Sequence, residues 1–134
     1  MISKVIHDRH FDAVMITYNM ISQNAERLTF PQCELTDVGV IVMMAVRRAM
    51  SRPERLEEVM RDLKARGLLR KDALDDVEPL SWLVHGDVES IPAAAYRYAI
   101  TPTAVSAVLT GTASLEHLER NIRAVEQGAL PLDD

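Results

Sequence analysis

The residues best placed to do chemistry in this chain lie between Gly111 and Asn121. Thr112, Ser114, His117 and Asn121 bracket a tight Gly111-Thr112 turn, which joins the apolar run Ala107-Val108-Leu109 to an amphipathic stretch opening at Leu115. A helix start leaves its first backbone N–H groups without partners and carries a partial positive charge. Set directly after a strand, that geometry forms an anion site, most often for a phosphate. Ser114 suits the N-cap, Leu115, Leu118, Ile122 and Val125 form an apolar stripe, and Gly128 with Pro131 closes the helix. The four polar side chains are then expected at one end of that helix. The bland alternative is a plain strand-turn-helix with a serine cap.

Elsewhere the pattern is thinner. Cys33 is the single cysteine, so no internal disulfide forms, and a passive thiol in a reducing compartment is expected. His7 and His10, with Asp8 and Asp12, have a spacing a metal would permit. Zinc wants a tighter His/Cys set, so a hydrated helix end is expected there and no metal site. Asp72, Asp75, Asp76 and Glu78 make an acidic connector that fits no cation-binding loop. Tyr18 ends a strand, while Tyr96 and Tyr98 lie two apart on a helix, so at most one of that pair is expected to face the core. No lysine follows a strand where it would lower a tyrosine's pKa, so no general acid is assigned. Arg47 and Arg48, just past a strand, are solvated or ion-paired unless a phosphate group lies beside them.

These side chains need a frame. The sequence predicts the order helix-strand-helix-strand-helix-helix-strand-helix. Residues 2–8 read as a helix end with Ile2, Val5 and Ile6 on one side. Short apolar runs without alternation at 13–18, 40–45 and 105–109 predict strands covered on both faces. A helix is expected over 22–30, limited or kinked by Pro31. Ser51-Arg52-Pro53-Glu54 predicts another, with Ser51 as N-cap, Leu56, Val59, Met60 and Leu63 inward, and an end at Gly67. Residues 71–79 read as a solvated loop, and 81–84 as a helical turn that packs Trp82. Ser90-Ile91-Pro92 opens a helix that Thr101-Pro102 stops. Strands alternating with helices imply a parallel α/β sheet with right-handed crossovers. Three strands leave two open edges. Ligands in such folds sit beyond the carboxyl ends of the strands, here Tyr18-Asn19, Ala45 to Arg48 and Gly111 to Ser114.

Composition narrows the function classes. At 134 residues the chain is expected to form one domain able to bury a core. A hydrophobic fraction of 48% with 26% charged residues is that of a globular protein. The net charge of −5 argues against nucleic acid as a partner. No apolar run approaches the ~20 residues of a membrane span. The N-terminal residues lack the long apolar core of a secretory signal, so the cytoplasm is expected.

Three runs, taken in order, carry a resemblance. Phe11-Asp12-Ala13-Val14-Met15-Ile16-Thr17-Tyr18-Asn19, Val38-Gly39-Val40-Ile41-Val42-Met43, and Val108 to Ser114 with His117-Leu118-Glu119-Arg120-Asn121 resemble the aldo/keto reductases over nearly the whole chain. The Gly-Thr-x-Ser-x-x-His-Leu-x-x-Asn stretch is the most specific of the three. The resemblance implies an α/β fold that is part of a (β/α)8 barrel, with residues 1–134 forming a C-terminal cofactor-binding domain from the helix before strand six to the last helix. It implies carbonyl reduction by hydride transfer from NADPH, or the reverse. Gly111, Thr112, Ala113 and Ser114 would wrap the adenosine 2′-phosphate. His117 stands where an arginine often meets that phosphate, and Asn121 where an asparagine holds the adenine.

Departures from the family pattern fall on the nicotinamide side. Met44 stands where an aromatic residue stacks on the nicotinamide, Ala45 where a serine nears the pyrophosphate, and Met15 where a glutamine holds the carboxamide. Arg120 replaces a glutamate that contacts the adenine amine, and Arg47 and Arg48 become candidates to pair with pyrophosphate. The family's tyrosine acid, with its lysine, aspartate and histidine, lies on earlier strands that this chain does not contain, so no catalytic residue is assigned. The chain is therefore expected to be the cofactor-binding part of a reductase: a fragment, the complement of an N-terminal half-barrel, or a self-associating unit. The competing reading is a non-catalytic nucleotide-binding or interaction subunit derived from the same fold.

Overall fold

The computed structural model describes residues 2–48 and 50–130; Pro131, expected to close the last helix, lies outside them. The elements run α1 (Ile2–His7), β1 (Ala13–Thr17), α2 (Asn24–Leu28), α3 (Phe30–Thr36), β2 (Gly39–Met43), α4 (Pro53–Ala65), a single 3-10 turn (Ser81–Leu83), α5 (Ile91–Ala99), β3 (Val105–Val108) and α6 (Leu115–Glu126). The strands form one parallel sheet in the order β1-β2-β3. Each crossover carries helices, as parallel pairing demands.

The sheet is covered on one face only. Val14 and Ile16 stand beside Val40 and Val42, and these four bury themselves against the helices together with Ile6, Cys33, Ala99 and Ala124. Residues between them face the other way, and Met15 is 52% exposed. Burial on both faces, expected from the unbroken apolar runs, is thus corrected: among the described residues nothing packs over the Met15 face. The edges are bare too. Phe11 near β1, and Leu115 and Ile122 on α6, are exposed, so half of the expected α6 stripe lacks a partner and Ala124 supplies the buried contact instead.

Local chemistry explains the element ends. Pro31 opens α3 rather than ending α2, because a proline at the first helical positions forfeits no intrahelical bond. The expected helix over 22–30 is accordingly split at Thr29. Arg52, not Ser51, is the residue before α4, and the Ser51 hydroxyl donates to the Arg48 carbonyl at 3.1 Å. Trp82 lies in the predicted turn yet remains exposed. Ser114 caps α6 as expected, accepting from the His117 amide, and Ser90, at the expected helix start, caps α5 by accepting from the Ala93 amide. β3 shifts register opposite Val40 and Ile41, which brings Ser106 against Gly39; a Cβ at Gly39 would lie 3.0 Å from its hydroxyl oxygen.

Alanines 94, 95 and 99 of α5 are wholly buried, which lets this helix approach its neighbours closely. Arg97 on the same helix is 3% exposed. It donates to Asp87 at 2.7 Å and to the carbonyls of Gly128 and Ala129 at 3.0 and 3.3 Å, pinning the chain beyond α6 against α5.

Candidate functional site

The carboxyl ends of β2 and β3 open onto one cleft, whereas Tyr18 and Asn19 at the end of β1, expected beside it, do not line it. At the end of β1, Asn19 is fully buried and its Oδ1 accepts the amides of Ile21 and Ser22 at 3.0 and 2.9 Å. Its Nδ2 donates to the Met44 carbonyl at 2.9 Å, tying the ends of β1 and β2 together. Met44 itself has φ of 61°, a left-handed conformation uncommon outside glycine, and its side chain is half exposed. At the end of β3, Thr110, Gly111 and Thr112 lead into α6.

Between these ends lies a cleft of about 1030 Å³, walled by the segment after β2 and by the starts of α4, α5 and α6. Of the residues singled out in the sequence, Met44, Gly111, Thr112, His117 and Asn121 line it. Ala113 and Ser114 stand in the turn without lining the cleft: the Thr112 hydroxyl oxygen accepts the Ser114 amide at 3.1 Å, and that of Ser114 accepts the His117 amide at 3.3 Å. The amides of Leu115 and Glu116 remain beyond reach of any carbonyl inside the helix. Arg47 is exposed and does not line the cleft, whereas Arg48 and Arg52 do.

The cleft is basic within an acidic chain. Arg48, Arg52, Arg120 and His117 line it against the single carboxylate of Glu89. Arg120 also pairs with Glu116 one turn back, and this hydrogen bond, with the guanidinium charge behind it, holds the Glu116 carboxyl below its usual range. An anion in the cleft would meet several cations.

A polar cluster of Tyr96, Thr110 and Asn121 lines part of the cleft. Tyr96, 6% exposed on α5, donates its hydroxyl to the Thr110 Oγ1 at 2.7 Å. Asn121 on α6 donates its Nδ2 to the same oxygen at 2.7 Å, and approaches the Tyr96 hydroxyl at 3.4 Å. Sequence reading missed Tyr96 and Thr110 here. Spacing along α5 shows which face Tyr96 occupies, but not that its hydroxyl meets a residue 14 positions on.

The other tyrosines are engaged elsewhere. Tyr18 is 1% exposed and its hydroxyl donates to Glu26; burial, then that bond, pushes its pKa well above the ordinary tyrosine range. Tyr98 stacks on it with ring centroids 5.3 Å apart and donates to the same carboxylate at 2.9 Å. Both helix tyrosines therefore pack, against different partners, where only one was expected to do so. Among the described residues no three His, Cys, Asp or Glu side chains gather as a metal would need, and no helix is long and apolar enough to cross a membrane.

Comparison with known proteins follows the same lines. The chain is similar to the aldo-keto reductase AKR11C1 from Bacillus halodurans in its holo form, with 20% identity and a TM-score of 0.63, covering 98% of this chain and 43% of that one. The apo form of the same protein matches with 18% identity and a TM-score of 0.62, covering 98% of this chain and 44% of that one. The chain thus spans less than half the length of the solved structures it matches. No curated protein matches it. The sequence model of the Aldo/keto reductase family matches residues 4–134. The three parallel strands with their flanking helices are accordingly part of a barrel of that type, and the chain belongs to the aldo/keto reductase family.

Proposed function

We propose that residues 1–134 form the NADP(H)-binding part of an aldo/keto reductase barrel, equivalent to its strands six to eight and their helices, and that the complete barrel interconverts carbonyl compounds and alcohols. One observation carries the reading: the start of α6, four basic side chains and the Tyr96–Thr110–Asn121 cluster converge on a single cleft at the strand ends. The residues present fit the group. Amides at the start of α6, with Thr112, His117 and Arg120, suit the 2′-phosphate; Arg48 and Arg52 suit the pyrophosphate; Asn121 suits the adenine. Gly111, Ala113 and Ser114 shape the turn that presents those amides. Met44 offers bulk without a π face on the nicotinamide side. When bound, the reduced nicotinamide supplies a hydride to a carbonyl carbon.

Proton delivery is the step these residues do not supply. Among the described residues Tyr18 is sequestered with Glu26, Tyr98 is stacked on it, and Tyr96 is committed to Thr110. The proton donor then comes from further β/α units, which would also close over the open Met15 face and the two bare edges. The same observation favours, for the chain alone, a second reading as a non-catalytic nucleotide-binding subunit.

A thermal melt of the 134-residue chain with and without excess NADP(H) tests the proposal. A ligand of the folded state adds about 2.7 kcal/mol at 100 times its dissociation constant. A cooperative melt that shifts upward supports a working cofactor site; a cooperative melt that does not shift overturns it. Absence of a cooperative melt, regained on adding the earlier strands of a reductase barrel as a separate chain, supports the half-barrel arrangement.

A further inference from the structure

Arg97 on α5 is only 3% exposed, and an arginine stays charged and can only donate, so its place inside the fold demands acceptors held there for it. The three it meets belong to two separate stretches of chain. Nη1 donates to Asp87 ahead of α5 at 2.7 Å, while Nε and Nη2 donate to the carbonyls of Gly128 and Ala129 beyond α6 at 3.0 and 3.3 Å. The backbone bonds of both stretches stay local, the Val88 amide donating to His85 and the Gly128 amide to Val125. Among the described residues, the hydrogen bonds that join one stretch to the other therefore run through Arg97.

Each stretch also continues into the cleft. Glu89 and Ser90 line it just after Asp87, and Gln127 lines it immediately before Gly128, whereas Arg97 itself does not. A guanidinium is a rigid planar fork, so acceptors held by its different edges are fixed relative to one another as well as to α5. Resting on the dinucleotide reading above, we propose that Arg97 is a positioning residue for the cleft: from outside, its guanidinium sets the spacing between the walls that carry Glu89 and Gln127, and dinucleotide affinity depends on that spacing. Walls fixed beforehand spare the ordering that binding would otherwise require.

The test is calorimetric titration of the full chain with NADP+, for the wild type, Arg97→Met, Arg97→Lys and Asp87→Asn, at a temperature where far-UV circular dichroism shows each protein folded. Asp87→Asn releases one wall and is expected to weaken binding a few-fold; Arg97→Met releases both and should weaken it on the order of tenfold. Lysine keeps the charge but gathers its donors on one atom, so it can hold one stretch but not the spacing of two. Arg97→Lys should therefore melt above Arg97→Met yet bind NADP+ no better than Asp87→Asn. A merely structural role lowers the melting temperature and leaves the dissociation constant of the folded protein alone. Constants for the folded variants within about twofold of the wild type, or an Arg97→Lys protein that binds as tightly as the wild type, overturn the inference while the dinucleotide site survives. Should Arg97→Met fail to fold, Asp87→Asn decides in the same way, since it alters a side chain that is 61% exposed. Failure of the wild type to bind NADP+ overturns the dinucleotide reading, and this inference with it.

Discussion

The side-chain amide of Asn19 donates to the Met44 carbonyl at 2.9 Å and so ties the end of β1 to the end of β2 at the mouth of the cleft. Met44 sits there with φ of 61°, a backbone conformation that costs a non-glycine residue on the order of 1–3 kcal/mol. Asn19, fully buried, holds this bend while its Oδ1 orders the turn at Ile21 and Ser22. One side chain from the end of β1 thereby fixes the β2 end that lines the site.

Replacing Asn19 by alanine removes three hydrogen bonds of a fully buried side chain and leaves the Met44 carbonyl without its partner, so stability should fall by about 1–3 kcal/mol. The loss should appear in urea unfolding, accompanied by weaker NADP(H) binding because Met44 lines the cleft. A change below about 0.5 kcal/mol, ordinary for a neutral surface site, would sink the role given to Asn19.

The turn before α6 makes a separate prediction about which dinucleotide is preferred. Thr112 and His117 line the cleft beside the unpartnered amides of the α6 start. If they face a 2′-phosphate, the double replacement Thr112→Ala with His117→Ala should weaken NADP(H) by about tenfold or more and NAD(H) far less. Equal losses for the two ligands in a titration would remove the 2′-phosphate from this turn. Higher salt should narrow the wild-type preference, since exposed cations are screened.

Much of this frame could be read from the residues, and the failures have physical causes. Ser90 and Ser114 announced their caps because a hydroxyl before a helix has one obvious use. The strands were legible as apolar runs, but Met15, Ile41 and Met43 are as apolar as Val14, Val40 and Val42, so the run conceals which face the helices cover. Pro31, which along the sequence limits or kinks a helix, in the structure opens one, since proline suits both the end of one helix and the first turn of the next. At the site, His117 and Asn121 stand four apart on α6 with Thr112 in the turn before it, a pattern visible along the chain; Tyr96 meets Thr110 only through space, and nothing along the chain marks that meeting.

The ion pair between Arg97 and Asp87 should make stability depend on pH in a defined sense. A hydrogen bond from Arg97 holds the Asp87 carboxyl below its ordinary range. The folded carboxyl is thus more acidic than the unfolded one, and unfolding takes up a proton between the two values. The contribution is complete above the unfolded value of about 3.9 and fades as pH falls through the lower folded value. Asp87→Asn should therefore melt below the wild type near neutral pH, with the gap closing only at strongly acid pH. Arg97→Met, which keeps a buried stem but loses the guanidinium, should cost more, because it also strands the carbonyls of Gly128 and Ala129. Melts of the three proteins across that range decide the matter: a gap between Asp87→Asn and wild type that stays constant into acid would deny the pair any electrostatic part in holding the end of α6 against α5.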